Sequence, residues 1–287
     1  MQIIDPHLHL FNLHLGAYSW LREENPPSWP DKSRIYRDFS ESNLSLVAGL
    51  RLGGYVHVEA GFDNQASWRE VDWLEQEASL PLRSVGHLDI RLPTAKFIEG
   101  LKRLTQRESI VGVRHIFDDA ASELIHHPNT YTNLAQLAAN NLHFELQFNT
   151  QIASDCATVE GLIEALPQLQ FILNHAGFCP LDHSGGASET SLAGLRNLSK
   201  HSNLTVKSSG FEMLNRAFEP ANAAQLTACL CKLFGETRVM LASNFPLITL
   251  SMSYSDYWAQ MIEALQAENL PVERLIYENA KRIYRFD

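Results

Sequence analysis

No stretch of this 287-residue chain approaches the roughly 18 consecutive apolar residues of a membrane span, so a transmembrane helix is not expected. The opening Met-Gln-Ile-Ile-Asp-Pro-His is soon polar, with no basic leader before an apolar run, so no export signal is expected either. Cysteine is scarce. Cys156, Cys179, Cys229 and Cys231 are spaced for neither a disulfide framework nor a zinc ribbon. They read as small buried apolar residues, and a reducing cytoplasm is the expected compartment. Positive charge is also short: 23 Lys and Arg against 33 Asp and Glu leave a net charge of −10. Such a chain repels phosphate backbones and carries no basic cluster, so nucleic acid is not an expected partner. A locally basic pocket for a small anion stays open. Low-complexity tracts and Pro-, Gly- or Ser-rich linkers are missing too, which favours a single domain over residues 1–287.

What is present alternates. Eight β-rich runs recur at 3–10, 54–59, 84–90, 110–116, 142–148, 169–175, 204–208 and 238–243. Helix-like segments lie between them at 65–79, 94–106, 130–140, 154–166, 191–201 and 222–234, and two more close the chain at 254–268 and 272–284. Loops are expected around Pro26-Pro27, with Trp20, Trp29 and Pro30, and at His183 to Ser188. Crossovers long enough for a helix predict parallel pairing, and eight such units close into a (β/α)₈ barrel. An open doubly wound sheet is the rival. It is weakened because no Gly-rich dinucleotide loop follows the first run.

Polar residues cluster where the runs end, which in a parallel barrel is where chemistry sits. The ends carry His7 and His9; His57 and Glu59; His87, Asp89 and Arg91; Arg114 and His115; Glu145 and Gln147; Asn174 and His175; Lys207 to Ser209; and Ser243-Asn244. His7 and His9 are two apart, so on a strand they share a face. Two convergent imidazoles suit a transition metal or a polarised carbonyl, and His175 supplies a third. Arg114 and His115 are adjacent and point to opposite sides of a regular strand. Arg114 suits a substrate carboxylate or an ion pair with a loop acid, and Lys207 divides the same way.

Taken in order, these motifs resemble the amidohydrolase superfamily, in its branch of amidohydrolase-related lactonases. That branch includes enzymes similar to fuconolactonase, rhamnonolactonase and 2-pyrone-4,6-dicarboxylate hydrolase. The resemblance rests on Ile4-Asp5-Pro6-His7-Leu8-His9-Leu10, Val85-Gly86-His87-Leu88-Asp89, Gly112-Val113-Arg114-His115 and Asn174-His175-Ala176-Gly177. It continues through Val206-Lys207-Ser208-Ser209-Gly210, Ser243-Asn244-Phe245-Pro246 and the ending Glu278 to Tyr284. It implies a distorted (β/α)₈ barrel that hydrolyses a sugar lactone or related cyclic ester at its strand C-termini. It also implies that the first-strand His pair and the sixth-strand His bind or polarise the carbonyl, some members using a divalent metal there and others none.

Two departures stand out. The family carries Asp where this chain has Asn244, serving as metal ligand or as general base. An amide cannot take a proton from water. A sub-branch carries this Ser-Asn-Phe-Pro pattern. The stretch after His175 also lacks the Lys often found before Pro180.

The expected site therefore has His7, His9, His175 and Asn244 at the chemistry. His57, Arg91, Arg114, His115, Gln147 and Lys207 are expected to contact substrate. His175 or His115 is the expected base. One divalent metal on His7, His9 and His175, zinc first among candidates, stands beside a metal-free alternative. Two rival functions are a metal-dependent decarboxylase of the same fold and a non-catalytic binder of a lactone or sugar acid. The expected partner is a small-molecule substrate, with a homodimer as the oligomeric state to test.

Overall fold

The computed structural model describes residues 1–118, 120–181 and 187–287. Most of the loop expected at 183–188 lies outside the described residues.

Eight strands form one parallel sheet in chain order: β1 (Gln2–Leu8), β2 (Arg51–Val58), β3 (Leu82–His87), β4 (Ile110–Arg114), β5 (His143–Leu146), β6 (Phe171–Leu173), β7 (Leu204–Ser208) and β8 (Val239–Leu241). β8 returns to β1. The Asn244 backbone N–H donates to the His7 carbonyl at 2.9 Å, His9 N donates to Phe245 O at 2.6 Å, and Leu8 bridges Phe245 in parallel. The barrel is thus closed at its C-terminal rim by the residues expected to do chemistry.

Ten α-helices are described: α1 (Trp68–Glu77), α2 (Thr94–Leu104), α3 (Ala121–His126), α4 (Thr130–Ala139), α5 (Ala153–Ala165), α6 (Glu189–Leu198), α7 (Phe211–Leu214), α8 (Pro220–Phe234), α9 (Tyr254–Ala267) and α10 (Asn279–Ile283). Their limits follow local chemistry. α8 begins on Pro220, whose fixed φ and missing N–H suit a first helical turn, and it stops at Gly235 with φ 80°. Ser253 caps α9 by accepting from Asp256 N. The expected helix at 272–284 starts as one π-turn over Arg274–Glu278 before α10. α3 and α7 were not expected; each is a turn or so of helix, too short to leave a periodic pattern.

Two apolar cores result. The larger packs the helices on the outside of the strands. The smaller fills the barrel with Ile4, Val56, Val58, Val85, Val111, Ile172 and Met240, and it is plugged by Ala280, Tyr284 and Phe286 from the chain's end. Arg83 fastens that plug by donating to the Tyr284 and Arg285 carbonyls. All four cysteines are free, and among the described residues no helix is long and apolar enough to cross a membrane.

Candidate active site

Above the plug the interior turns polar. His7, His9, His175, Lys207, Glu145, Arg114, Glu59 and Asn244 are all buried. The His7 ring lies 5.0 Å from His9 and 4.6 Å from His175, centroid to centroid. Strand ends bring these rings together, and the backbone is bent to do so. His175, Ala176 and Gly177 have φ of 53°, 49° and 62°, and Asn244 has φ 55°. Side-chain-bearing residues rarely adopt that left-handed region, and such strain gathers at functional sites.

The hydrogen bonds fix two tautomers. His9 Nδ1 lies 2.6 Å from the Val58 carbonyl, which can only accept. His9 therefore carries its proton on Nδ1 and leaves Nε2 as an acceptor. The Lys207 ammonium lies 3.2 Å from His7 Nδ1 and donates to it. His7 then carries its proton on Nε2, a buried N–H with no partner. His175 Nδ1 meets Ser209 Oγ at 3.1 Å.

Burial keeps all three imidazoles neutral, helped by nearby positive charge. His7 and His9 are held well below the usual histidine range, first by desolvation and then by Lys207 and Arg114 respectively. His175 is pushed down to about 3 by desolvation, then Arg114 and Lys207. Burial likewise lowers His115, to about 4.

Each cation has a buried acid. Lys207 Nζ is 2.6 Å from Glu145 Oε2, and the Tyr284 hydroxyl donates to Glu145 Oε1 at 2.7 Å. The barrel plug thereby reaches His7 through Glu145 and Lys207. Burial lowers Lys207 to about 8 against the pull of Glu145, so it remains a cation at neutral pH. Arg114 donates to Glu59 Oε1 at 2.7 Å, to the Glu59 carbonyl at 2.7 Å and to Gln147 Oε1 at 2.9 Å. Gln147 also donates to Asp118. Of the two roles open to Arg114, the geometry gives the ion pair.

Of the other expected contacts, His57 lies beside the cluster, its ring 6.2 Å from that of His9, and His115 and Arg91 are engaged farther out. His57 accepts from Leu10 N at Nδ1 and donates to Glu70 from Nε2 at 3.0 Å, so both nitrogens are committed. His115 points to the opposite side from Arg114, with Asp89 at 3.5 Å and the His87 ring at 5.6 Å. Arg91 is a surface residue paired with Asp89 at 2.8 Å.

Asn244 donates from Nδ2 to Glu212 Oε1 at 2.6 Å, and its Oδ1 has no partner. Glu212, on α7 just past β7, is also buried, and its Oε2 has no partner. Glu212 was not among the expected residues. The signal available was an acid two residues past Gly210, just beyond the seventh run. Glu59, Glu145 and Tyr284 were likewise missed as partners, because ion pairs between strands leave no spacing rule in a sequence.

The three imidazoles do not fit a divalent ion as they stand. Ligation through His7 Nε2 would move its proton to Nδ1, against the Lys207 ammonium, and set two donors face to face. Asn244 supplies no negative charge. Among the described residues, the group whose three ligand atoms all lie within 4.8 Å of one another is Glu160, Glu164 and His201. His201 precedes β7, at the far end from the strand C-termini.

A curated protein of Sinorhizobium fredii, y4mH, is 27% identical over 300 residues, covering 99% of this chain and 98% of its own length. The L-fucono-1,5-lactonase of Burkholderia ambifaria is 22% identical and covered over 96% of each chain. A crystal structure of an amidohydrolase from Burkholderia multivorans with bound zinc aligns over 100% of both chains with a TM-score of 0.81 at 20% identity, a likeness of fold. A family profile described as amidohydrolase matches residues 4–286. With the eight-stranded barrel and its histidine-lined C-terminal rim, that match establishes that the chain belongs to the amidohydrolase family.

Proposed function

We propose that this protein hydrolyses a neutral sugar lactone by direct attack of water on the ring carbonyl, without a metal. The observation that carries it is the His7–Lys207 contact. It leaves the His7 Nε2–H as an unpartnered donor in a buried site. A donor so placed binds the carbonyl oxygen and holds it more strongly as negative charge develops, because burial lowers the local dielectric. Lys207 behind the ring fixes the tautomer and adds positive potential. His9 Nε2 is left to accept from a substrate hydroxyl.

The charge balance favours a neutral substrate. Lys207 is matched by Glu145 and Arg114 by Glu59, so of these two buried cations neither is left over for a carboxylate. A polyhydroxylated lactone fits this better than a dicarboxylate, and the similarity to an L-fucono-1,5-lactonase points the same way.

The test is a pH-indicator assay across aldono-1,4- and aldono-1,5-lactones, with pyrone carboxylates for contrast. Turnover of a neutral lactone well above buffer hydrolysis is expected, unchanged after dialysis against a chelator. If the protein turns over no lactone while a working lactonase does so in parallel, the hydrolase reading fails. If chelation abolishes turnover and zinc restores it, the metal-free part fails.

A further inference from the structure

We propose that Glu212 is the general base of this site, held in place by the Asn244 amide and taking a proton from the attacking water at Oε2. The inference rests on the lactonase reading and supplies the group that reading lacks.

The case is geometric. Glu212 is 1% exposed, and of its two carboxylate oxygens only Oε1 is occupied, by Asn244 Nδ2 at 2.6 Å. A buried carboxylate oxygen with no donor is costly unless something outside the protein supplies the proton. Water or a substrate hydroxyl is the chemistry that fits. The location is right as well. α7 packs against the 174–178 turn that carries His175 and against the 247–250 turn beyond β8. Gly210 lies against the His175 ring, where a Cβ would come within 2.7 Å of Nδ1, and Ser209 binds the same ring. On the other side, the Asn244 backbone is bonded to His7. Glu212 thus joins the turn that carries His175 to Asn244, the residue whose backbone is bonded to His7. Three buried atoms lacking partners, His7 Nε2, Asn244 Oδ1 and Glu212 Oε2, belong to this connected set.

Chemistry agrees with position. Burial lifts Glu212 to about 7, against the opposing pull of Asn244, its own backbone N–H and Arg216. A base with its pKa near the working pH is the efficient kind. The charged and titratable groups bearing on it are Arg216, one turn along its own segment, and Tyr257 on α9 behind β8.

The step balances. Oε2 accepts a proton from water as the water oxygen bonds to the carbonyl carbon and the C=O pair moves onto the carbonyl oxygen, held by His7 Nε2–H. When the tetrahedral carbon collapses, the ring C–O bond breaks and the departing alkoxide takes that proton back from Glu212. The carboxylate is regenerated and an open-chain hydroxy acid leaves.

The experiment uses the lactone that the wild type turns over best, with kcat and KM measured from pH 5 to 9. The wild type should show activity rising through a limb near pH 7. Glu212→Gln should fold with unchanged circular dichroism, keep KM within a few-fold, lose about 10²- to 10⁴-fold in kcat and lose the limb. Asn244→Asp alone should depress activity at neutral pH by placing a second carboxylate against Glu212. The exchange Glu212→Gln with Asn244→Asp should recover part of the rate lost in Glu212→Gln. Retention of wild-type rate and limb in Glu212→Gln overturns the proposal. Should that variant fail to fold, Glu212→Asp decides: a displaced limb supports the proposal and an unmoved limb overturns it. A wild type inert on every lactone fells the hydrolase reading and this one with it. An active wild type with an indifferent Glu212 fells this one alone.

Discussion

The two sides of the barrel mouth differ in how completely their polar atoms are used. On the β2–β4 side the fully buried site groups are committed. His57 is bonded at both nitrogens, Glu70 accepts from His57 and Ala60, and Arg114 is shared among Glu59 Oε1, the Glu59 carbonyl and Gln147. On the β7–β8–β1 side, His7 Nε2, Asn244 Oδ1 and Glu212 Oε2 are buried with nothing to bond. A folded chain seldom leaves buried polar atoms unpaired, because each forfeits solvation without recompense. In the function proposed above, the saturated side is scaffold that holds the rings, and the unsaturated side is where a substrate completes the hydrogen bonds.

The largest effect should come from breaking the scaffold. Arg114→Met leaves Glu59 buried without its cation, and removing one partner of such a pair destabilises by about 3–5 kcal/mol. Urea denaturation followed by circular dichroism reads this directly. A loss below about 1 kcal/mol would mean that Glu59 finds other donors and that this side is not saturated in the sense described.

The next test turns the comparison around. Glu212 is a carboxyl raised from 4.5 to about 7 on folding, so between those values the folded state binds a proton that the unfolded state has released. Its contribution is fully present below pH 4.5 and is lost as pH rises through about 7. At 1.36 kcal/mol per unit the span is about 3 kcal/mol. His175, lowered to about 3, works in the opposite direction, costing stability as pH falls below 6.5. The clean quantity is therefore a difference. Glu212→Gln should gain on the wild type by about 3 kcal/mol between pH 4.5 and 7.5 in paired urea titrations. Parallel stability curves for the two proteins would show that Glu212 ionises normally in the folded state.

A smaller effect is expected at the hinge between the two readings. Gly210 has φ +75° and abuts the His175 ring. Gly210→Ala forces a side chain into the left-handed region, at about 1–2 kcal/mol, and pushes His175 off Ser209. A thermal shift of a few degrees with a fall in kcat is expected. A full thermal shift with kcat untouched would remove His175 from the reacting geometry.

Much of the fold was legible because apolar periodicity reports it directly: eight strand runs and the principal helices were found from spacing alone. Strand ends were read too long. The sixth run stops at Leu173, where the chain bends into the strained 174–178 turn, because backbone geometry at an active rim obeys substrate placement as well as propensity. His7, His9 and His175 were legible as a cluster once strand ends were aligned. The tautomer of His7 was not, since it is set by Lys207, exactly 200 positions away in sequence. Nor was the partnership of Glu212 with Asn244, which joins two strands through an unforeseen turn of helix. Sequence shows which groups can do chemistry, and only contact shows which of them have already been spent on one another.

Arg91 gives the mildest and most discriminating test of that last point. Its position after the third run made it a reasonable substrate contact, and its charge would suit a hydroxyl-rich ligand. In the fold its guanidinium is a surface group that donates to both oxygens of Asp89, and Asp89 in turn is lowered to about 2 by Arg91 and His115 against its burial. An exposed pair of this kind contributes about 0.2–1 kcal/mol. Arg91→Ala should accordingly change the unfolding free energy by less than about 1 kcal/mol and leave KM and kcat within two-fold or so. The companion Asp89→Asn should do little more, because His115 is already neutral and asks nothing of that carboxylate at neutral pH. A KM raised ten-fold or more in Arg91→Ala, with stability untouched, would extend the binding surface past the saturated side to the barrel's outer edge. The boundary between scaffold and site would then have to be drawn through β3 instead of β4.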